Sequence, residues 1–337
     1  MSKHTEYWFE DELATRLAAN GWLYSKDDDG CDRELALYLD DVFAWLADTQ
    51  GDALAQKVKA TDPEPLQTKA RAQLLTRLTQ VLDKPFAQGG GALNVLRHGF
   101  KDIATKFDMC QFRPAQALNP ATLERYAKVR LRVMRQVHYS TSNENSIDLV
   151  FFVNGLPVAT MEVKTDFTQS VEDAKIQYQQ DRPPRDPATK KLEPLLSFGR
   201  RALVHFAVSN SEAWMTTRLE GDNTRFLPFN RGNNGGKGNP PNPEGNPTAY
   251  LWERVLQRDA CSKSSASSCT PARGKRQTPS PALSPSASRC SSRGSTSGKP
   301  SPHSSLRHEK KARDRDTWCN TARDQAKPTP SPGPHTS

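Results

Sequence analysis

Phe9, Leu13 and Leu17 recur every four residues at the start of the chain, the period of one helical face, and Asn20-Gly21 is a stop signal before Trp22. Leu35, Leu37, Leu39, Val42, Phe43 and Trp45 predict a second helix over about Glu34 to Ala47, and a third runs from about Pro65 to Leu82. After Asn119-Pro120 and a short helix the period changes. Val129 to Tyr139 (VRLRVMRQVHY) alternates apolar and basic side chains, as a strand with one buried face does. Ile147 to Val153 (IDLVFFV) is almost continuously apolar, Asn154-Gly155 is a strong hairpin signal, and Val158 to Lys164 (VATMEVK) returns as a second strand. A helix over Val171 to Gln180 follows, then two strands of a mixed sheet at Arg201 to Val208 and Ala213 to Thr217. Asn230 to Pro247, rich in Asn, Gly and Pro, predicts a long loop or linker, and Tyr250 to Ala260 resumes a helical pattern.

Composition divides the chain near Ala260. From Cys261 the text is Ser, Pro, Arg and Lys with almost no aliphatic clusters, which cannot bury a core. That stretch holds 14 of the 47 Lys+Arg and only 4 of the 38 Asp+Glu, so the net charge of +9 belongs to the tail and the body is close to neutral. The basicity is therefore no argument for nucleic-acid binding by the body. Of the six cysteines, Cys31 and Cys110 lie in the body and Cys261, Cys269, Cys290 and Cys319 in the tail, none in a zinc or disulfide spacing. No apolar run approaches the ~20 residues of a membrane span, and MSKHTEYWFEDEL has no basic region followed by an apolar stretch. A cytoplasmic protein without membrane association is expected.

Chemistry concentrates in the hairpin. Alternation along a strand puts Glu162 and Lys164 on one face, and the turn can bring Asp148 to the same point. Two carboxylates and an ammonium fit phosphodiester hydrolysis: Mg²⁺ is typically held by one or two carboxylates plus substrate oxygens and lowers the pKa of an attacking water. Asp148 and Glu162 would be its ligands, with the Val163 carbonyl as a third, and Lys164 would orient the water or offset phosphate charge. The competing expectation is a strand-capping Asp148 beside a solvent-facing Glu162–Lys164 pair. His98, His138 and His205 lack a paired ligand spacing and read as structural or surface histidines. GxSxG, HExxH and a complete Walker A motif are absent, and the GGKG around Gly235 reads as a flexible linker.

The runs SIDLVFFVNGLPVATMEVKT, AKIQYQQDRPP and ALVHFAVSNSEAWMTTRL, continued by TRFLPFNRGNNGGKGNPPNPEGNPTAYLWERVLQRDA, resemble the nuclease region of type I restriction enzyme R subunits over about Thr5 to Ala260. The resemblance implies an α/β fold with the PD-(D/E)xK restriction-endonuclease-like core, a mixed central sheet flanked by helices; pattern and composition add a helical N-terminal region and a disordered C-terminal tail. The expected division is a nuclease domain over 1–220 with its catalytic core at about 125–220, a linker over 221–260, and a low-complexity tail over 261–337. Implied too are Mg²⁺-dependent cleavage of double-stranded DNA and assembly with modification (M) and specificity (S) subunits. The family's positions map onto Asp148, Glu162 and Lys164, its Gln-rich motif onto Gln177, and the first-helix glutamate of some relatives onto Glu10. Where related nucleases often have Tyr four residues after the Gln, this chain has Asp181. A noncatalytic fragment that only docks on the modification complex, or has no function, is the alternative.

R subunits of this kind continue into an ATP-driven helicase-like motor. Read one base out of frame, the codons of Cys261 to Thr270 permit L-E-I-L-G-I-V-L-H, and those of Cys319 to Pro328 permit Q-H-S-A-G-S-G-K-T, a phosphate-binding loop. The expectation is that 261–337 is frameshifted translation that replaces the motor, which the gene sequence would settle.

Overall fold

The computed structural model describes residues 2–259 except Ala115, Ala117 and Thr168, so every expectation placed on 261–337 lies outside the described residues. Helix α1 (Ser2–Ala19) buries Phe9, Leu13 and Leu17 and ends ahead of Gly21, whose φ of +88° suits glycine. Three short strands follow, β1 (Leu23–Ser25), β2 (Cys31–Asp32) and β3 (Leu37–Tyr38). Helix α2 (Leu39–Ala55) begins five residues later than its apolar pattern predicts, because Ala36 turns at φ +50° and β3 pairs back onto β2. Helix α3 (Glu64–Leu82) matches its expected span and has Pro65 in its first turn, where proline's missing N–H is harmless. Then come α4 (Ala92–His98) and a small hairpin, β4 (Phe100–Asp102) and β5 (Thr105–Phe107). Helix α5 (Pro120–Ala127) is capped by Asn119 Oδ1, which accepts from the N–H groups of Ala121 and Thr122.

The centre of the protein is a seven-stranded mixed sheet in the order β1-β6-β7-β8-β9-β10-β11. Its remaining strands are β6 (Leu131–His138), β7 (Ser146–Val153), β8 (Leu156–Val163), β9 (Val204–Val208), β10 (Ala213–Thr216) and β11 (Leu227–Pro228). Pairs β6–β7, β7–β8, β9–β10 and β10–β11 are antiparallel; β1–β6 and β8–β9 are parallel, the second joined through helix α6 (Val171–Gln180). The β7–β8 turn places Asn154 at φ +50° and Gly155 at φ +80°, the two left-handed residues of a tight hairpin turn. One large core, built by α1, α2, α3 and α4 with Leu149, Phe151, Met161, Val163, Phe206 and Val208, fills one side; a smaller one contains Ile147, Val150, Phe152, Tyr178 and Leu196.

The 221–260 stretch expected as a linker is packed on this body as far as residue 259. Its strand β11 extends the sheet, Leu251, Trp252 and Leu256 are buried in the large core, and Trp22 Nε1 donates to the Leu256 carbonyl at 2.8 Å. The helical pattern at Tyr250 becomes a single wide π-type turn, Leu251–Val255. Among the described residues no helix is long and apolar enough to cross a membrane.

Candidate active site

Register brings the polar residues of three strands into one row. Leu149 pairs with Met161 and Leu149 with Arg135, so Asp148 falls opposite Glu162 on one side and opposite Gln136 on the other. At this row the side-chain alternation slips: Ile147 belongs to the smaller core and Leu149 to the larger, and Gln136 takes φ +47°. A non-glycine residue with positive φ inside a strand is strained, and such strain collects at functional sites.

Asp148 Oδ2 accepts the Val163 N–H at 2.8 Å and Oδ1 accepts from Gln136 Nε2 at 3.3 Å. Glu162 is fully buried; Oε1 accepts from Arg182 Nε at 2.9 Å, while Oε2 is enclosed with no hydrogen-bond partner. Lys164 Nζ lies 3.4 Å from Glu6 Oε2. Glu6 and Glu10, four residues apart on α1, share a helical face. Glu10 accepts from Gln136 Nε2 and from the buried Arg135 guanidinium at 3.1 to 3.2 Å. Helix α1 therefore touches the ammonium directly and Asp148 through Gln136.

Burial dominates the electrostatics. It pushes the Glu162 carboxyl well above the usual carboxylate range, the negative charge of Asp148 adds to the rise, and Arg182 offsets only part of it. Burial and then Asp148 raise Glu10 to about 7, against the lowering effect of Gln136 and Arg135. Beneath the site, Thr160 Oγ1 stands 2.7 Å from the Tyr178 hydroxyl and 2.8 Å from His205 Nδ1. His205 is buried and pulled down to about 3, so it is neutral near pH 7. Thr160→Val would strand two buried polar groups at once and should cost about 2–4 kcal/mol in urea unfolding. A loss below about 0.5 kcal/mol would show that the hydroxyl is not what satisfies them.

The structure brings together Asp148, Glu162, Lys164 and Glu10. Val163 joins through its N–H to Asp148, whereas the sequence pointed to its carbonyl. The half-buried Gln177 forms no hydrogen bond to these residues; its backbone carbonyl accepts from Asp181 N–H, and α6 reaches the site through Tyr178 and the buried Arg182. His98 is exposed and the His138 ring meets Asp28, so neither enters the site. Sequence reasoning missed Glu6, Arg135, Gln136 and Arg182. Glu6 carried a signal, its four-residue spacing from Glu10 beside the Phe9–Leu13–Leu17 stripe, and Arg135-Gln136 interrupts the alternation of its strand. Arg182 lies past the end of its helix, where periodicity says nothing. Among the described residues no three or more His, Cys, Asp and Glu side chains form a ready-made metal cage. The carboxylate oxygens on hand are those of Asp148 and the buried Glu162 Oε2 and Glu6 Oε1, neither of the last two having a hydrogen-bond partner.

Together these describe a mixed α/β protein with a buried carboxylate pair and a lysine at the ends of adjacent strands. The chain matches the family model for the N terminus of the type I restriction enzyme R protein over residues 10–224, more than half its length, and belongs to that family. Membership ties it to type I restriction. No curated protein matches the chain.

Proposed function

We propose that this protein is a Mg²⁺-dependent endonuclease of the PD-(D/E)xK type, hydrolysing double-stranded DNA as the cutting part of a type I restriction complex with M and S subunits. The observation that carries this reading is the fully buried, unpartnered Glu162 Oε2 opposite Asp148, two residues from Lys164. No N–H or hydroxyl donor reaches that oxygen, and its Asp148 neighbour opposes ionisation of the pair; a divalent cation bound by the two carboxylates would remove that cost. The succession α1, β6, β7, β8, α6, β9, with the acidic pair on β7 and β8, supports the fold assignment. We assign the catalytic core to about 125–220.

Asp148 and Glu162, with the Val163 carbonyl, would hold the ion. Bound Mg²⁺ neutralises the scissile phosphate and lowers the pKa of a water molecule. Asp148 is fixed for that task by the Val163 N–H and by Gln136, which Glu10 holds in turn. Lys164, steadied by Glu6, presents an ammonium to the attacking water or to charge developing on the phosphate.

Supercoiled plasmid, treated with the full chain in Mg²⁺ or in EDTA, with and without M and S subunits, tests the proposal. Cutting should require Mg²⁺ and fall about 10³-fold or more in a folded Asp148→Ala variant. Cleavage that survives either EDTA or that substitution would refute it.

A further inference from the structure

Helix α6 and the residues just after it are tied to β8 by two contacts. Tyr178 OH meets Thr160 Oγ1 at 2.7 Å, and Arg182 Nε meets Glu162 Oε1 at 2.9 Å. Arg182 lies two residues past Gln180, the last residue of α6, and its side chain turns back onto β8. This placement delivers a guanidinium, itself buried, to the metal-binding carboxylate. Its remaining hydrogen bond to the site's surroundings runs from Nη1 to the Asp181 carbonyl at 3.4 Å. Lys164, the other nearby cation, is engaged by Glu6.

The asymmetry at Glu162 is informative. A buried ion pair contributes little net stability unless the remaining oxygens and protons are also satisfied. A pair serving only the fold would be expected to engage both carboxylate oxygens, as the buried Asp41 does with Arg130 and Arg132. Here one oxygen is clamped by Arg182, and the other is enclosed with no N–H or hydroxyl donor, beside the Asp148 carboxylate.

We infer that Arg182 is a positioning residue for the metal-binding carboxylate: by fixing Glu162 Oε1 it leaves Oε2 as the single oxygen presented to a divalent cation. The inference rests on the nuclease reading above and gives the segment leaving α6 a role in the centre through Arg182 rather than Gln177. The planar guanidinium suits it, since an ammonium on a flexible stem does not fix one chosen oxygen as well.

Mn²⁺ is the probe. The affinity of the metal-stripped full chain is read from the electron paramagnetic resonance signal of free Mn²⁺ for wild type, Asp148→Ala, Arg182→Gln and Arg182→Lys, with circular dichroism melts reporting the fold. Loss of a residue that orients a metal ligand typically weakens binding about 10–100-fold, and that is the drop expected for Arg182→Gln, with Arg182→Lys falling between it and the wild type. Wild-type affinity in folded Arg182→Gln, with binding lost in Asp148→Ala, overturns the inference and leaves the nuclease reading standing. Should the glutamine variant not fold, wild-type affinity in Arg182→Lys overturns it equally. A wild-type protein with no Mn²⁺ site sensitive to Asp148→Ala overturns both.

Discussion

Glu162→Gln is expected to abolish cleavage while leaving the metal-free protein at least as stable as the wild type near pH 7. The activity loss follows from removing an anionic ligand, about 10³-fold or more in cutting rate. The stability result follows from burial. Glu162 is fully enclosed beside Asp148, and both conditions oppose its ionisation. The folded protein therefore holds the Glu162 proton to higher pH than the unfolded chain does. A carboxyl with a raised folded pKa supports the fold below its unfolded pKa and loses that support as pH rises through the folded value. Glutamine has the same shape and no proton to lose, so it removes the penalty, as substitutions at strained catalytic positions often do.

Glu10 obeys the same sign, and its window is defined: from 4.5 in the unfolded chain to about 7 in the fold. Across that interval its contribution declines by about 3 kcal/mol. Relative to wild type, EDTA-treated Glu10→Gln and Glu162→Gln should gain in melting temperature as pH rises from about 5 to about 8, while the buried His205 acts in the opposite sense on all three proteins alike below about pH 6.5. Variants whose melting profiles run parallel to the wild type over this range, or a Glu162→Gln variant that still cuts DNA, would contradict the electrostatic account.

The sheet's central strands and α6 were legible in the sequence because each is specified locally. IDLVFFV-NG-LPVATMEV contains its own turn chemistry, and Val171–Gln180 coincides with its predicted span. Elements that depend on distant partners were not. Strand β1 is three residues long and exists by parallel pairing with β6, more than a hundred residues away. The start of α2 was misplaced because the apolar spacing of Leu35, Leu37 and Leu39 suits either a helix or a hairpin, and tertiary pairing decided.

The site divides along the same line. Asp148, Glu162 and Lys164 stood out because a hairpin joins them, and Glu10 came from family resemblance. Arg182 and Gln136 have roles that appear only once strands and α6 are in register, since each owes its meaning to a partner across the fold. The family's Gln motif drew attention to Gln177, yet the residue that reaches the carboxylate is five positions on.

That register hangs on the hairpin turn, and Gly155→Ala should show it, with a loss of about 3 kcal/mol or more in urea unfolding. Gly155 needs its left-handed φ of +80°, and a Cβ there would stand 2.3 Å from the Tyr38 carbonyl oxygen and 2.5 Å from Val42 Cγ2. Backbone cannot yield cheaply, because the Tyr38 N–H also donates to the Gly155 carbonyl at 3.0 Å, fastening the turn to β3 and the start of α2. Gly51→Ala is the control: it is exposed, follows the break that Gln50 makes in α2 (φ −148°, ψ 39°), has open space around its Cβ position, and is expected to stay within about 0.5 kcal/mol of the wild type. If Gly155→Ala relieves its clash by moving the turn, cleavage should fall further than stability, since a one-residue slip of β8 would carry Glu162 away from Asp148. Equal stability of the two alanine variants would mean that the turn is not docked as described, and that β7 and β8 hold their register without it.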